Sequence, residues 1–385
     1  MTTATLSAQW RDNKRYLWLL GAVVPALPLI GGYLYHLTGS PLSWWLAMIM
    51  VYAVIPLMDL LIGTDTNNPP ETLVKEISQE TYYRYAVYLA VPAGYASLIW
   101  GAWAFTHMDL AWHEALGLTL SVGVISGIGI NTAHELGHKT PALERWMAKI
   151  ALAPAAYGHF FIEHNRGHHV RVATPEDPAS SRFGESFYAF LPRTVVGSLR
   201  SAWEIEAKRL AREGRGVWSI HNNNLQAWAM TVVLFGGLTA WLGWPALLFL
   251  VGQALYGLSL LEVVNYLEHY GLLRTKREDG SYERCQPHHS WNSNHIVTNI
   301  MLYHLQRHSD HHANPTRYYQ ALRHFEHAPQ LPSGYASMIL LAYCPPLWFK
   351  VMNPRVVAHY RGDMSKANIK PGIREQVIAR YAKSA

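Results

Sequence analysis

The chain has 385 residues, of which 50% are hydrophobic, 12% aromatic and only 15% charged, with a formal net charge of +6. A typical soluble domain carries about 25% charged residues, so this composition points to a membrane protein. The two cysteines, Cys285 and Cys344, argue against a disulfide framework, a Cys-ligated zinc site or an iron–sulfur cluster built by this chain alone.

A bilayer core about 30 Å thick needs roughly 20 apolar helical residues, and the sequence offers six such stretches: 16–36, 41–62, 85–105, 110–131, 225–242 and 245–264. The first is too long for the apolar part of a signal peptide and is read as a retained span. Pro25 and Pro28 should kink it, Pro69-Pro70 should end the excursion after the second span, and Thr174–Pro178 should form a turn. The apolar stretch 150–161 is too short to cross and should lie in the interface or under the bundle.

All 32 Lys and Arg residues fall in four blocks, 11–15, 75–84, 139–215 and 274–383. The blocks alternate with pairs of spans, as the positive-inside rule requires when both termini are cytoplasmic. A soluble bundle has no reason to segregate its basic residues in this way. The expectation is an all-α integral membrane bundle of six transmembrane helices, forming a single domain over 1–385, with cytoplasmic catalytic segments at 132–224 and 265–385.

Many of the 21 histidines are bunched at the edges of those segments. His134 and His138 end the fourth span, His164, His168 and His169 follow in the next segment, His308, His311 and His312 lie near 310, and His269 stands where the sixth span emerges. Residues three or four apart on a helix share a face, so each bunch can aim imidazoles at a metal. Nine nitrogens exceed the four of a closed zinc site and suit two metals. Imidazole alone does not choose between zinc, copper, iron and nickel. His288, His289, His295 and His304 compete for the same role. Glu135, Glu163, Glu262, Glu268, Asp177 and Asp310 neighbour the nine and are candidates to accept the second ring N–H of a bound histidine.

The pattern His134/His138, His164/His168/His169 and His308/His311/His312 resembles the membrane superfamily of fatty-acid desaturases, hydroxylases and alkane or xylene monooxygenases. Within it the chain is most similar to the alkane 1-monooxygenase family. The similarity rests on His134-Glu-Leu-Gly-His-Lys139, Glu163-His-Asn-Arg-Gly-His-His169, Ala173-Thr-Pro-Glu-Asp-Pro-Ala-Ser180, Leu305-Gln-Arg-His-Ser-Asp-His-His312 and Asn265-Tyr-Leu-Glu-His-Tyr-Gly-Leu272. The His269 box is what separates it from the desaturases.

The resemblance implies a catalytic site of two non-haem iron ions held by the nine histidines. Dioxygen would be the co-substrate and a medium-chain linear alkane would be hydroxylated at its terminal carbon. It also implies a bacterial inner membrane and electrons from rubredoxin, separate or fused, served by a nicotinamide-dependent reductase. No nucleic-acid partner is expected. A desaturase or fatty-acid hydroxylase would share three of the bunches but leave His269 without a reason, and a histidine-based proton or metal transporter would need ionisable residues at mid-membrane.

Two further expectations concern access. An alkane has no polar handle, so it should reach the metals from the bilayer through an apolar channel, with Trp44, Trp45, Met48 and Tyr52 of the second span as candidate lining. The segments 139–215 and 274–383 carry 12 Lys and Arg against 8 acids and 15 against 7. That excess would steer an acidic carrier, with Arg166, Arg171, Arg274, Lys276, Arg277, Arg307 and Arg317 as the candidates nearest the histidines.

Overall fold

The structure, a computed structural model, describes residues 10–382; Lys383, the last basic residue, lies outside them. Six helices are long and apolar enough to span a bilayer: α1 (Leu17–Thr38), α2 (Pro41–Ile62), α3 (Thr81–His107), α4 (Trp112–Gly137), and later α7 (Asn223–Leu242) and α8 (Trp244–His269). Between α4 and α7 come α5 (Ala142–Leu152) and α6 (Phe187–Arg212). After α8 follow α9 (Ile296–Met301), α10 (His308–Ala313), α11 (Tyr335–Ala342), α12 (Pro345–His359) and α13 (Arg374–Ala382). Extended pairing among the described residues is limited to isolated bridges. The chain is an all-helical integral membrane protein, as expected.

The local breaks fall where the backbone chemistry puts them. Pro25 sits in a 3-10 turn, Val24–Ala26, inside α1, because its ring removes a ladder donor. In α2 the stretch Met50–Val54 is π-helical, immediately before Pro56. The spans continue past the apolar runs read from the sequence. α4 extends six residues beyond position 131 and α8 five beyond 264, because the helical hydrogen-bond ladder does not stop where hydropathy falls. The stretch 150–161 does not cross; it holds the end of α5, a 3-10 turn and a break before Phe160.

α4 packs most extensively on α8. A Cβ on Gly257 would stand 3.0 Å from the Gly123 carbonyl oxygen, so the two backbones meet without side chains between them. The other spans surround this pair and expose Leu60, Leu61, Val232, Val233 and Trp241, the residues such a bundle turns toward lipid. Because α4 and α8 run side by side to the same end, they deliver His134, His138 and His269 there.

Candidate metal centre

All nine expected histidines meet at that end, in two groups. His134, His138, His164, His169 and His311 form one, and His168, His269, His308 and His312 the other; within each, the candidate ligand atoms all lie within 4.8 Å of one another. His138 and His169 are half-buried and the other seven are buried. The groups touch, with the rings of His169 and His312 4.4 Å apart at their centroids.

The doublets do not aim at one point, as helix spacing alone suggested. Consecutive helical residues are rotated by about 100°, so His168 and His169 go to different groups, as do His311 and His312. His308 and His312, four apart on α10, share a group. His164 and His169 are five apart, and they share a group because Glu163–His168 is π-helical, which brings residues five apart into line.

The nitrogens fit a shared cation. Nε2 of His311 lies 2.9 Å from Nε2 of His134 and 3.0 Å from that of His169, which is also 3.1 Å from Nε2 of His164. In the second group, Nε2 of His308 is 3.2 Å from that of His269 and 2.9 Å from that of His312. A ring nitrogen holds either one proton or one lone pair, so an Nε2 aimed at two others cannot satisfy both by hydrogen bonding. A divalent ion bonded at about 2.1 Å with neighbouring ligands at right angles sets nitrogens about 3 Å apart. The buried Nε2 atoms of His138 and His168 have no hydrogen-bond partner among the described residues. Burial, helped by the neighbouring rings, holds His138, His164, His169, His308, His311 and His312 well below 6.5, which leaves them neutral with lone pairs available.

The six acids separate by contact. Asp177 accepts from His168 Nδ1 at 2.9 Å, fixing the tautomer that frees Nε2. Burial opposes ionisation of this carboxyl, but His168 and Ser180 outweigh it and hold the pKa below the usual value. Glu268 Oε2 stands 3.3 Å from His308 Nε2, while its other oxygen accepts from Tyr335. Of the other four, Glu135 pairs with Lys139, Glu163 with Arg171 and Asp310 with Arg317. Glu262 accepts from Tyr157, Thr194 and Asn265. Orienting contacts that adjacency in sequence did not reveal are the His289 carbonyl on His269 Nδ1, at 3.2 Å, and the Tyr335 hydroxyl on Glu268. The competing histidines stay outside: His304 bonds the Tyr319 carbonyl, His295 bonds Ser293, and His288 and His289 gather with Glu283.

An apolar cavity adjoins the metal centre. Val51 and Ile55 of α2, Ile128 of α4, Leu260 of α8 and Ile339 of α11 line it. Its residues Asn131, Leu261, Val264 and Leu305 also line the recess that holds His134, His164 and His308. None of the four candidates in the second span is among the residues that line this cavity. Trp44 stacks on Trp100, Trp45 packs on Gly117, and Met48 and Tyr52 are half-buried against the apolar cluster around the cavity. The face of α2 that meets the cavity is the one carrying Val51 and Ile55.

Residues 110–342 match the family model described as fatty acid desaturase. The chain is 49% identical to the alkane 1-monooxygenase of Pseudomonas putida over 97% of its own length and 93% of the relative's. It is 49% identical to alkane 1-monooxygenase 1 of Alcanivorax borkumensis, covering 94% of this chain and 90% of that one. To the xylene/toluene monooxygenase hydroxylase component of Pseudomonas putida it is 32% identical over 70% of the chain and 71% of the relative. Two groups of clustered imidazoles beside an apolar cavity accord with these likenesses, and the chain belongs to the alkane 1-monooxygenase family, within the wider fatty acid desaturase family.

Proposed function

We propose that this protein hydroxylates the terminal carbon of medium-chain linear alkanes at two non-haem irons held by the nine histidines. Dioxygen, two electrons and two protons would convert the methyl group to a primary alcohol and release one water. The observation that carries the reading is the junction of cavity and metal centre. The two polar residues among the cavity lining each bond within the chain, Asn131 to the Leu302 carbonyl and Thr298 to Asp59, and the lining holds no basic side chain to receive a fatty-acid carboxylate.

The irons would supply dioxygen activation and the two-electron oxidation of the C–H bond. The chain supplies the rest. Val51, Ile55, Ile128 and Leu260 orient an apolar chain and exclude water, and the group of five and group of four histidines fit one ion each. Asp177 holds the His168 tautomer, and Glu268 places a carboxylate beside His308. The centre would lie at the cytoplasmic face of a bacterial inner membrane, with both termini on that side and the chain acting as one domain. Rubredoxin would be the electron donor.

The test is metal analysis of the purified protein followed by product analysis with octane, rubredoxin, its reductase and dioxygen. About two irons per chain and 1-octanol are expected, and His269→Ala should lose iron and abolish 1-octanol. Full iron and activity in that variant, or an unsaturated product from the wild type, would sink the assignment.

A further inference from the structure

Three tyrosines from three elements meet beside the cavity. Tyr52 lies in the π-helical stretch Met50–Val54 of α2, Tyr256 in α8, and Tyr343 just beyond α11. The Tyr256 hydroxyl donates to that of Tyr52 at 2.8 Å. α11 packs against the same π-helical stretch, and the Tyr343 hydroxyl just beyond it is buried with no hydrogen-bond partner among the described residues. Each tyrosine flanks a cavity residue: Tyr52 follows Val51, Tyr256 is one turn before Leu260, and Tyr343 is one turn after Ile339.

On the outward side of the same elements, Leu57, Leu255 and Leu340 are exposed where a bilayer would meet them. The half-buried tyrosines therefore stand between the cavity residues and the exposed leucines of the same elements, where the Tyr256–Tyr52 hydrogen bond joins α8 to α2.

The chemistry of the two ends of the reaction differs at this seam. An alkane brings no polar group to it. A primary alcohol brings a donor and an acceptor, and leaving them unbonded in an apolar cavity is unfavourable. We propose that Tyr52, Tyr256 and Tyr343 form a lateral exit gate for the alcohol product, whose hydroxyl exchanges into the tyrosine cluster on its way to the lipid. The gate rests on the alkane-hydroxylation reading for its physiological ligand, but a primary alcohol can be tested on it directly.

Wild type, Tyr52→Phe and Tyr343→Phe, with the exposed Tyr33→Phe of α1 as control, are placed in lipid nanodiscs and photolabelled with a diazirine-bearing primary alkanol or the matching diazirine alkane. The alkanol should mark the peptides around Tyr52, Tyr256 and Tyr343. That labelling should fall about 5-fold in the two gate variants, the effect of one hydrogen bond of about 1 kcal/mol, while alkane labelling stays unchanged. Inhibition of octane turnover by 1-octanol should weaken by a similar factor with the KM for octane unmoved. If Tyr52→Phe loses its fold, Tyr343→Phe decides, because its hydroxyl makes no hydrogen bond among the described residues. Equal alkanol labelling in wild type and Tyr343→Phe, or identical maps for the two probes, overturns the gate. A wild type that makes no alcohol from octane but shows the expected labelling overturns the activity and leaves the alcohol site standing.

Discussion

His168 and His169 are neighbours in the chain, yet one belongs to the group of four and the other to the group of five. Each doublet thus serves both groups, and the residue that holds one member of a doublet should act on one group alone. Asp177→Asn keeps the shape of the side chain but removes the charge that fixes His168 through Nδ1. Loss of such an orienting partner typically costs roughly 10–100-fold in metal affinity, so iron should fall from about two to about one per chain in a chelator titration. Equal loss of both irons would show that the groups do not load independently. The titration should also depend little on pH. Burial first, and the neighbouring rings second, keep six of the nine rings well below 6.5. In that state they carry no proton for a metal to displace, whereas rings with ordinary values would take up protons and lose affinity as pH fell toward 6. Affinity at the group of five, which holds four of these six rings, should therefore change little between pH 6.5 and 8, and release of more than about one proton per iron there at pH 6.5 would contradict it.

At the scale of elements, the metal centre depends on how closely α4 and α8 approach, since α4 carries His134 with His138 capping its end and α8 carries His269. Gly257→Leu would force side-chain atoms against the Gly123 backbone, an overpacking worth about 1–3 kcal/mol. Iron content and thermal midpoint should both drop although every histidine remains, and unchanged iron would mean that the α4–α8 contact does not set the site. The sequence carried much of this arrangement. Six apolar runs and the segregation of Lys and Arg gave the bundle, and the histidine spacing singled out the nine rings that gather. It carried less where polarity and backbone geometry part company. The last turns of α4 and α8 are as polar as loops and yet helical, and α6 is too polar to read as a span although it packs against α8. The π-turn at Glu163–His168 leaves no trace in residue spacing, and for that reason the division of the doublets between groups was not legible.

For the whole molecule, the remaining question is where electrons enter, and the fold narrows the basic candidates named from sequence. Arg307 and Arg274 are buried and clamp backbone carbonyls. Arg171 pairs with Glu163, and Arg317 with Asp310 and Glu71. Arg166, Lys276 and Arg277 stay exposed. The group of five is the one that approaches solvent, through half-buried His138 and His169, and beside His169 the apolar Val170 is 64% exposed. An acidic carrier docked over Val170 would meet Arg166 in the same π-helical segment and would be steered by long-range attraction that salt screens. Reversing Arg166, Lys276 and Arg277 to Glu should therefore raise the KM for rubredoxin several-fold at low ionic strength, and the difference from wild type should shrink as salt is added. Turnover driven by a small chemical reductant should be unaffected, because no docking is involved. Positive-inside topology and attraction to anionic lipid could account for the same charge without any carrier. That alternative predicts equal rubredoxin-driven rates in the reversed protein at every salt concentration, or equal slowing of the chemical route, and either result would assign the basic face to the membrane instead of the electron donor.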